Sequence, residues 1–497
     1  MAVFCAAILA GVGLARFSDF SVQLVVVAAA LALAGLRYRR LAALLGVMLL
    51  GIALGGWRGT IYMDRLAAYE PLQNQKIVLV GTAVDDAGYG KQKQLTFELK
   101  NARLQDVSAG EKGKLDTTSQ PLIGKIGVSG FGALTILRGD TVQVEGKLRP
   151  GMGSKQGYMS YATLTVLKSE PRPIDRFRMK FAAGMQSALP EPAASFAMGI
   201  LIGQKATLPD QVYNDLVVVG LVHIIAVSGY NLTIILRACV KLLGDRSKYQ
   251  TFMVAVTLIA TFLLITGASA SIVRASIVSA LSLAAWYYGR TFKPLNLILM
   301  AVAITAFASP LYPWGDIGWY LSFLAFYGVL IVSPQVHARF MQGPLGKNVL
   351  VGIALESLAA EVATLPLTLY IFGQMSAISL LANVLVAALI PLAMLLSLVA
   401  GLAGMLLTPL AGWFAWPATM LLTYMLDTAH ILASVPHVYK NNVYITAVGM
   451  VAMYAVLVGL NILLHIRIKR SGARVRELVD NNPLLHRPGD RLAAADR

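Results

Sequence analysis

Residues Leu221 to Leu236 read LVHIIAVSGYNLTIIL, a run apolar enough for a membrane span that nonetheless carries His223 and a Ser228-Gly229-Tyr230-Asn231 interruption. In hydrocarbon a helix satisfies its own backbone. A glycine flanked by hydrogen-bonding side chains at mid-span is therefore tolerated mainly where protein or water takes over the freed groups. Such breaks often line a transport path. The stretch predicts a polytopic helical membrane protein with a polar route through it.

The rest of the chain agrees with that class. Of 497 residues, 57% are hydrophobic and 13% charged, with a mean hydropathy of +0.66, which excludes an ordinary soluble protein. Part of the formal net charge of +17 is topogenic: Arg37-Tyr38-Arg39-Arg40, Asp245-Arg246-Ser247-Lys248, Arg290-Thr291-Phe292-Lys293 and the tail from Arg467 all flank apolar runs, as the positive-inside bias requires. The remainder is available to an anionic partner. Cys5 and Cys239 lie far apart in apolar runs, so a disulfide framework is not expected and both read as buried small hydrophobes. No phosphate-cradling G-x-x-x-x-G-K-[ST] loop, metal-binding histidine motif or G-x-S-x-G elbow occurs. No enzymatic activity, cofactor or metal is expected.

Apolar segments at about 2–15, 21–36 and 41–57 form an N-terminal helical region, 1–60. Met1 to Ala15 has no basic leader and reads as a first transmembrane helix rather than a cleaved signal. The basic cluster after the second segment places the N-terminus in the cytoplasm and residues 61–172 outside. In that outer segment long apolar runs give way to period-2 alternation. Five strands are predicted, at 76–86, 93–104, 122–132, 141–150 and 161–168, suiting a small closed barrel of the OB type, with an open sandwich as the alternative. Residues 173–220 read as amphipathic connecting helices bounded by Pro190 and Pro192. Residues 221–466 read as a second membrane block, with helices at 221–243, 250–267, 271–288, 294–308, 316–333, 348–372, 376–408, 411–434 and 442–466, making about 12 in all. Pro366, Pro391 and Pro417 interrupt or start several of them. The basic tail, 467–497, is placed in the cytoplasm.

Ionisable residues inside the second block each need a reason: His223, Arg274, Asp316, Glu356, Glu361, Asp427 and His430. Arg274, set among Ser269, Ser271, Ser276 and Ser279, is either a phosphate or carboxylate contact or an ion-pair partner of Glu356 or Glu361. Glu361, five residues before Pro366, marks a gate or a hinge. His223 reads most simply as a hydrogen-bonded core histidine, and Asp316 as a helix cap or a transport residue. In the outer segment Tyr89, Lys91, Lys93, Phe97, Lys100 and Arg103 interleave rings with cations, followed by Phe131, Tyr158 and Tyr161. Single-stranded nucleic acid sites use those ingredients. A solvated face would also carry the 14 Lys+Arg against 9 Asp+Glu found between Gln75 and Arg172.

Four segments occur in an order that resembles the ComEC competence family: LIGQKATLPDQVYNDLVVVGLVHIIAVSGYNLTII (201–235), SIVRASIVSALSLAAWYYGR (271–290), SPLYPWGDIGWYLSFLAFYGVL (309–330) and AAEVATLPLTLYIFGQMSAISLLANVLVAALIPLAM (359–394). The resemblance implies a cytoplasmic-membrane channel for incoming single-stranded DNA. It puts His223, Ser228, Gly229, Arg274, Asp316, Ser322, Glu361, Pro366, Asn383 and Pro391 in the channel framework. Tyr230-Asn231 replace the family's more usual Leu-His pair. The resemblance further implies an external DNA receptor and a cytoplasmic ATP-driven motor. Many members end in a metallo-β-lactamase-like domain; this sequence stops about thirty residues after its last predicted span, so a separate nuclease is expected. Independently of the resemblance, the residues fit an entry funnel at Lys91, Lys93, Lys100 and Arg103. They also leave open a rival, a secondary transporter of a small anionic solute or envelope precursor.

Overall fold

The computed structural model describes residues 1–480 except 39, 91–93, 106–121, 134, 170–172, 204–207, 226–231, 233–235, 237–246, 267–269, 290–292 and 341–348. Ser228, Gly229, Tyr230, Asn231, Lys91, Lys93 and Cys239 therefore lie outside the described residues. The chain opens with α1 (Ala2–Leu14), α2 (Val22–Tyr38) and α3 (Arg40–Leu66). A strand segment follows: β1 (Lys76–Ala83), β2 (Gly88–Tyr89), β3 (Leu95–Gln105), β4 (Lys125–Phe131), β5 (Thr141–Pro150) and β6 (Gly157–Lys168). Next come α4 (Pro173–Ala188), α5 (Ala193–Ile202), α6 (Asp210–Val218), α7 (Val222–Ile225), α8 (Lys248–Thr266), α9 (Ala270–Tyr287) and α10 (Pro294–Ala308). The chain continues through α11 (Leu311–Gly315), α12 (Ile317–Tyr327), α13 (Ser333–Phe340), α14 (Val349–Ile371), α15 (Ser379–Val386), α16 (Ile390–Leu406), α17 (Ala411–Ala433) and α18 (Ala447–Asp480).

Among the described residues six helical stretches are long and apolar enough to cross a membrane: Arg40–Leu72, Lys248–Thr266, Ile317–Phe340, Val351–Ile371, Ser379–Leu406 and Ala447–Ile468. Five shorter apolar helices accompany them. Six is fewer than the dozen expected. Four of the expected spans, at α1, α2, α9 and α10, are shorter apolar helices, the 23-residue α17 is not among the six, and most of the expected 221–243 span lies outside the described residues. The expected 376–408 span is two helices, α15 and α16, with Pro391 in the first turn of the second, where its missing N–H costs nothing.

Two compact units form, Met1–Phe323 with Ser376–Val438 and Leu324–Met375 with Tyr439–Arg497. In the first, α1 packs on α3 through Gly51, Gly55 and Gly59, spaced four residues apart so that all three face one way. A β-carbon on Gly55 would strike the Ile8 carbonyl oxygen. Without a hydrophobic driving force in lipid, such close backbone approach is a main source of helix association. The helix α5, expected to be an amphipathic connector, is instead buried nearly all round, and with residues of α4, α15, α16 and α17 it forms the largest apolar core. In the second unit α14 runs unbroken through Pro366. Thr364 and Thr368 donate their hydroxyls to Ala360 O (3.0 Å) and Thr364 O (3.1 Å), the kind of side-chain bonding that lets a membrane helix tolerate a proline. Likewise Pro417 sits inside a continuous α17.

The strand segment closes on itself. β1 pairs antiparallel with both β3 and β5, β5 with β6, β3 with β4, and β4 with β6 in parallel, giving a five-strand barrel with the two-residue β2 on the flank of β3. All five expected strands are present, within a few residues of their expected ends. Alternate residues Leu95, Phe97 and Leu99 of β3, Val142 and Val144 of β5, and Ile126 and Val128 of β4 fill the interior. Each large side chain buried this way contributes roughly 1.5–3 kcal/mol.

Turn chemistry ties the barrel to the helices. At Arg138-Gly139-Asp140, Gly139 adopts φ +96°, a region closed to most side chains, and Asp140 accepts from Leu137 N (2.8 Å) and Ser169 Oγ (2.6 Å). This fixes Arg138, which reaches Asp175 of α4 (3.5 Å) and donates to Leu264 O of α8 (3.1 Å). Arg178 of α4 pairs with Asp86 of the barrel (3.3 Å).

Candidate functional site: a polar cavity beside the barrel and a buried arginine

The segment 309–322 holds the site together. Trp314 donates its indole N–H to Val12 O (3.0 Å) and stands edge-on to Tyr62 (ring centroids 6.2 Å apart). Arg58 donates to Phe307 O (3.0 Å) and Ala308 O (3.1 Å), a cation on the carbonyl-rich end of α10. Asp316 caps α12 by accepting from Trp319 N (3.0 Å). Of the two readings offered for Asp316, the cap is therefore realised. These anchors leave Tyr312 facing the barrel and Gly318 facing α9.

Between them lies a cavity of about 350 Å³, lined by Asp85, Glu98, Lys125 and Gln156 from the barrel and by Tyr62, Ser309 and Tyr312 from the helices. Inside it Glu98 binds two ammonium groups, Lys125 Nζ at 2.8 Å and Lys155 Nζ at 3.4 Å. Gln156 donates to the Tyr62 hydroxyl and accepts from Lys125 N. Burial by itself would raise the Glu98 carboxyl, but the two lysines together hold it below the usual carboxylate range. Asp85 goes the other way, raised first by burial and then by the Glu98 charge. Lys125, which burial alone would lower, is held above its usual value by Glu98.

These opposite shifts predict a pH signature. Glu98, with a depressed folded-state value, stabilises above its unfolded value, and that contribution is lost as pH falls through the depressed one. Asp85, with a raised value, costs stability as pH rises through it. Asp85→Asn should therefore raise the thermal midpoint at neutral pH, and the gain should shrink as pH falls through the raised value toward that of the unfolded chain. An undiminished gain at low pH would show that the gain does not come from the Asp85 charge.

Tyr312 lines the cavity together with Lys125 and Glu98 of the barrel, and the same segment continues into Asp316 and Gly318. Arg274 on α9 is 3% exposed. Its Nη2 donates to Gly318 O at 3.0 Å, while Nε and Nη1 have no hydrogen-bond partner among the described residues. The guanidinium is bonded to a backbone carbonyl. Since an unpaired buried polar group costs about 1–3 kcal/mol, and more when charged, Arg274 is held at a price that a bound anion would offset.

The other expected site residues are dispersed. Ser322 is half-buried on α12, Pro366 is buried in α14, and Asn383 is buried on α15 with no partner for Oδ1 among the described residues. The expectation of a core histidine at 223 is corrected: its ring is exposed, with Nδ1 3.1 Å from Gly220 O. His430 pairs with Asp215 at 2.8 Å, joining α17 to α6.

On the barrel, Phe97 is 6% exposed and packs inside with Leu95 and Leu99, so its ring cannot stack on a base. Lys100 and Arg103 are half-buried on the outer side of β3. Exposed rings lie elsewhere: Tyr89 (63%), Phe131 (45%) and Tyr161 (70%). Phe131 lies opposite Thr163, two residues along β6 from Tyr161 on the same outer face, whereas Tyr89 lies opposite the inward-facing Leu95.

Fold and site define a polytopic membrane protein with an inserted barrel, a polar cavity where that barrel meets the helices, and a buried arginine among the helices. A model of the competence protein family matches residues 200–467, and the chain belongs to that family, the ComEC proteins. The ComE operon protein 3 of Bacillus subtilis (strain 168) is 25% identical over 232 residues, which cover 46% of this chain and 28% of that protein. No solved structure matches the chain.

Proposed function

We propose that this protein admits single-stranded DNA across the cytoplasmic membrane during natural transformation, the barrel lying outside and both termini inside. The carrying observation is a polar cavity between the barrel and the helices, lined by Asp85, Glu98, Lys125 and Tyr312, together with the buried guanidinium of Arg274 bonded to Gly318 O in the same 309–322 segment. A polyanion in a low-dielectric path needs fixed cations in place of water. The closed five-strand barrel supports an OB-type reading, and its exposed rings supply the sequence-tolerant stacking such domains use. The protein acts as a conduit rather than an enzyme. An external DNA receptor, a separate nuclease and a cytoplasmic ATP-driven motor supply capture, strand removal and direction.

The direct test deletes the gene in a competent host and follows labelled transforming DNA. The strand should remain accessible to added nuclease outside the cell; normal internalisation would refute the proposal. For the barrel, Tyr161→Ala and Phe131→Ala should each weaken oligothymidylate binding by about 1–3 kcal/mol, measured by fluorescence anisotropy on the full chain. Phe97→Ala should instead act through stability. Equal binding by wild type and both ring variants would remove the stacking surface.

A further inference from the structure

We infer that single-stranded DNA lies along the outer face of β5 and β6, its phosphates against Lys147 and Arg149 and its bases over Tyr158, Tyr161 and Phe131. This rests on the reading of function above and adds the face, the side chains and the orientation. On β5, Val142, Val144 and Leu148 point into the barrel, so the alternate residues Lys147 and Arg149 point outward, and both are exposed. Glu145 is the one carboxylate in the two strands, and Lys76, directly opposite Lys147 in the β1–β5 register, takes it at 2.8 Å. Lys147 and Arg149 are left without an ion pair among the described residues. They stand about 7 Å apart along the strand, where successive phosphates of an extended single strand can reach both.

Rings occupy the next strand across. Arg149 is opposite Tyr158 and Lys147 opposite Ser160. Tyr158 lays its ring over Gly127 of β4, in the space a β-carbon there would fill. Tyr161 owes its place to a bulge: the pairing of β6 slips by one residue against both β4 and β5, and Met159 and Ala162 both face inward. Such bulges re-aim a side chain. The extra residue, Tyr161, has φ +54° and is 70% exposed. A bulky residue seldom adopts that conformation, and strain of this kind concentrates where a ligand is gripped. Phe131, opposite Thr163, adds a ring on the same outer face. Cations thus form one flank and rings the other, the arrangement that tracks a single strand without regard to its sequence. The loop between β5 and β6 carries Ser154 and Gln156 from this face to the wall of the cavity.

The test measures binding to the full chain in phosphatidylcholine nanodiscs across a salt series, with an oligothymidylate and an abasic oligomer of equal length as probes. Lys147→Gln with Arg149→Gln should make the salt dependence shallower by about 1.4 for both probes, two phosphates at about 0.7 each. Tyr161→Gly, which suits the left-handed backbone, should weaken the oligothymidylate about 5- to 150-fold. It should leave the abasic probe and the slope unchanged and hold or raise the thermal midpoint. Lys180→Gln with Lys440→Gln, two exposed cations elsewhere, should keep the wild-type slope. If the β5 double variant does not survive extraction, each single variant should lower the slope by about 0.7. A folded double variant with the wild-type slope would overturn this face while leaving DNA uptake standing. So would equal slope loss in the Lys180 and Lys440 control, or a Tyr161→Gly protein that binds the oligothymidylate as tightly as wild type. Normal internalisation in the deleted strain together with the expected slopes would keep the face and refute the uptake reading.

Discussion

Replacing Arg274 by methionine is expected to reduce uptake of single-stranded DNA by on the order of 100-fold or more while leaving the folded protein at least as stable as before. The two halves of this expectation have one cause. Arg274 is 3% exposed and gives one hydrogen bond, to Gly318 O. Keeping a guanidinium there costs several kcal/mol of lost hydration that a single carbonyl does not return. A methionine of similar length fills the space without that penalty. A passing phosphate, however, would lose a desolvated cation, and every 1.4 kcal/mol of lost interaction is tenfold. Arg274→Lys, which keeps charge but not the planar fork, should retain part of the uptake. Thermal midpoints in detergent and nuclease-protected label per unit of folded protein separate the two effects. If Arg274→Met unfolds the protein and uptake per folded molecule is unchanged, Arg274 is a structural residue only.

Gly404→Leu is expected to abolish the folded protein, and Gly412→Leu to be silent. Gly404 lies where α16 crosses α4, and a β-carbon there would collide with the Gly184 carbonyl oxygen; Gly184 meets the facing backbone of Gly401 and Gly404 just as closely. Neither helix can yield locally, because backbone rather than a flexible side chain is in the way. The helices must separate along a contact that also carries Phe181 and Met185 into the main core. Overpacking of a tight core typically costs about 1–3 kcal/mol, and here the displaced helix adds the contacts of α5. Gly412 has nothing within 4 Å of its would-be β-carbon, and leucine is the better helix former. Size-exclusion profiles of detergent extracts should show a monodisperse peak for Gly412→Leu and aggregate for Gly404→Leu. Matching profiles would mean that the α4–α16 contact does not hold the core.

The strands of the barrel were legible because alternation is a local signal, and so was their number. Its parity carried more than was drawn from it: Phe97 shares the phase of Leu95 and Leu99 and therefore points inward, whereas the exposed Phe131 and Tyr161 fall outside that phase. Intramembrane charge drew attention to Arg274 and Asp316, since each is costly enough in lipid to need a cause; the structure places the first buried on α9 and the second at the cap of α12. What a linear sequence could not supply is the cavity. Glu98, Lys125 and Lys155 are separated by up to 57 positions in sequence and meet only because β3 pairs with β4 and β4 with β6. The burial of α5 was missed for a similar reason. Ten residues are too few to read as a span, and only the packing of four neighbouring helices around them shows a core element.

The central claim, that a strand passes from the barrel through the cavity to Arg274, is tested most directly at Tyr312, which lines the cavity six residues before the Gly318 carbonyl that Arg274 bonds. A photo-crosslinking residue placed there in competent cells should capture labelled transforming DNA, as should one at Tyr161. A control at Gly412, on an open helix surface, should not. Normal uptake with capture at Tyr161 and none at Tyr312 would contradict the route.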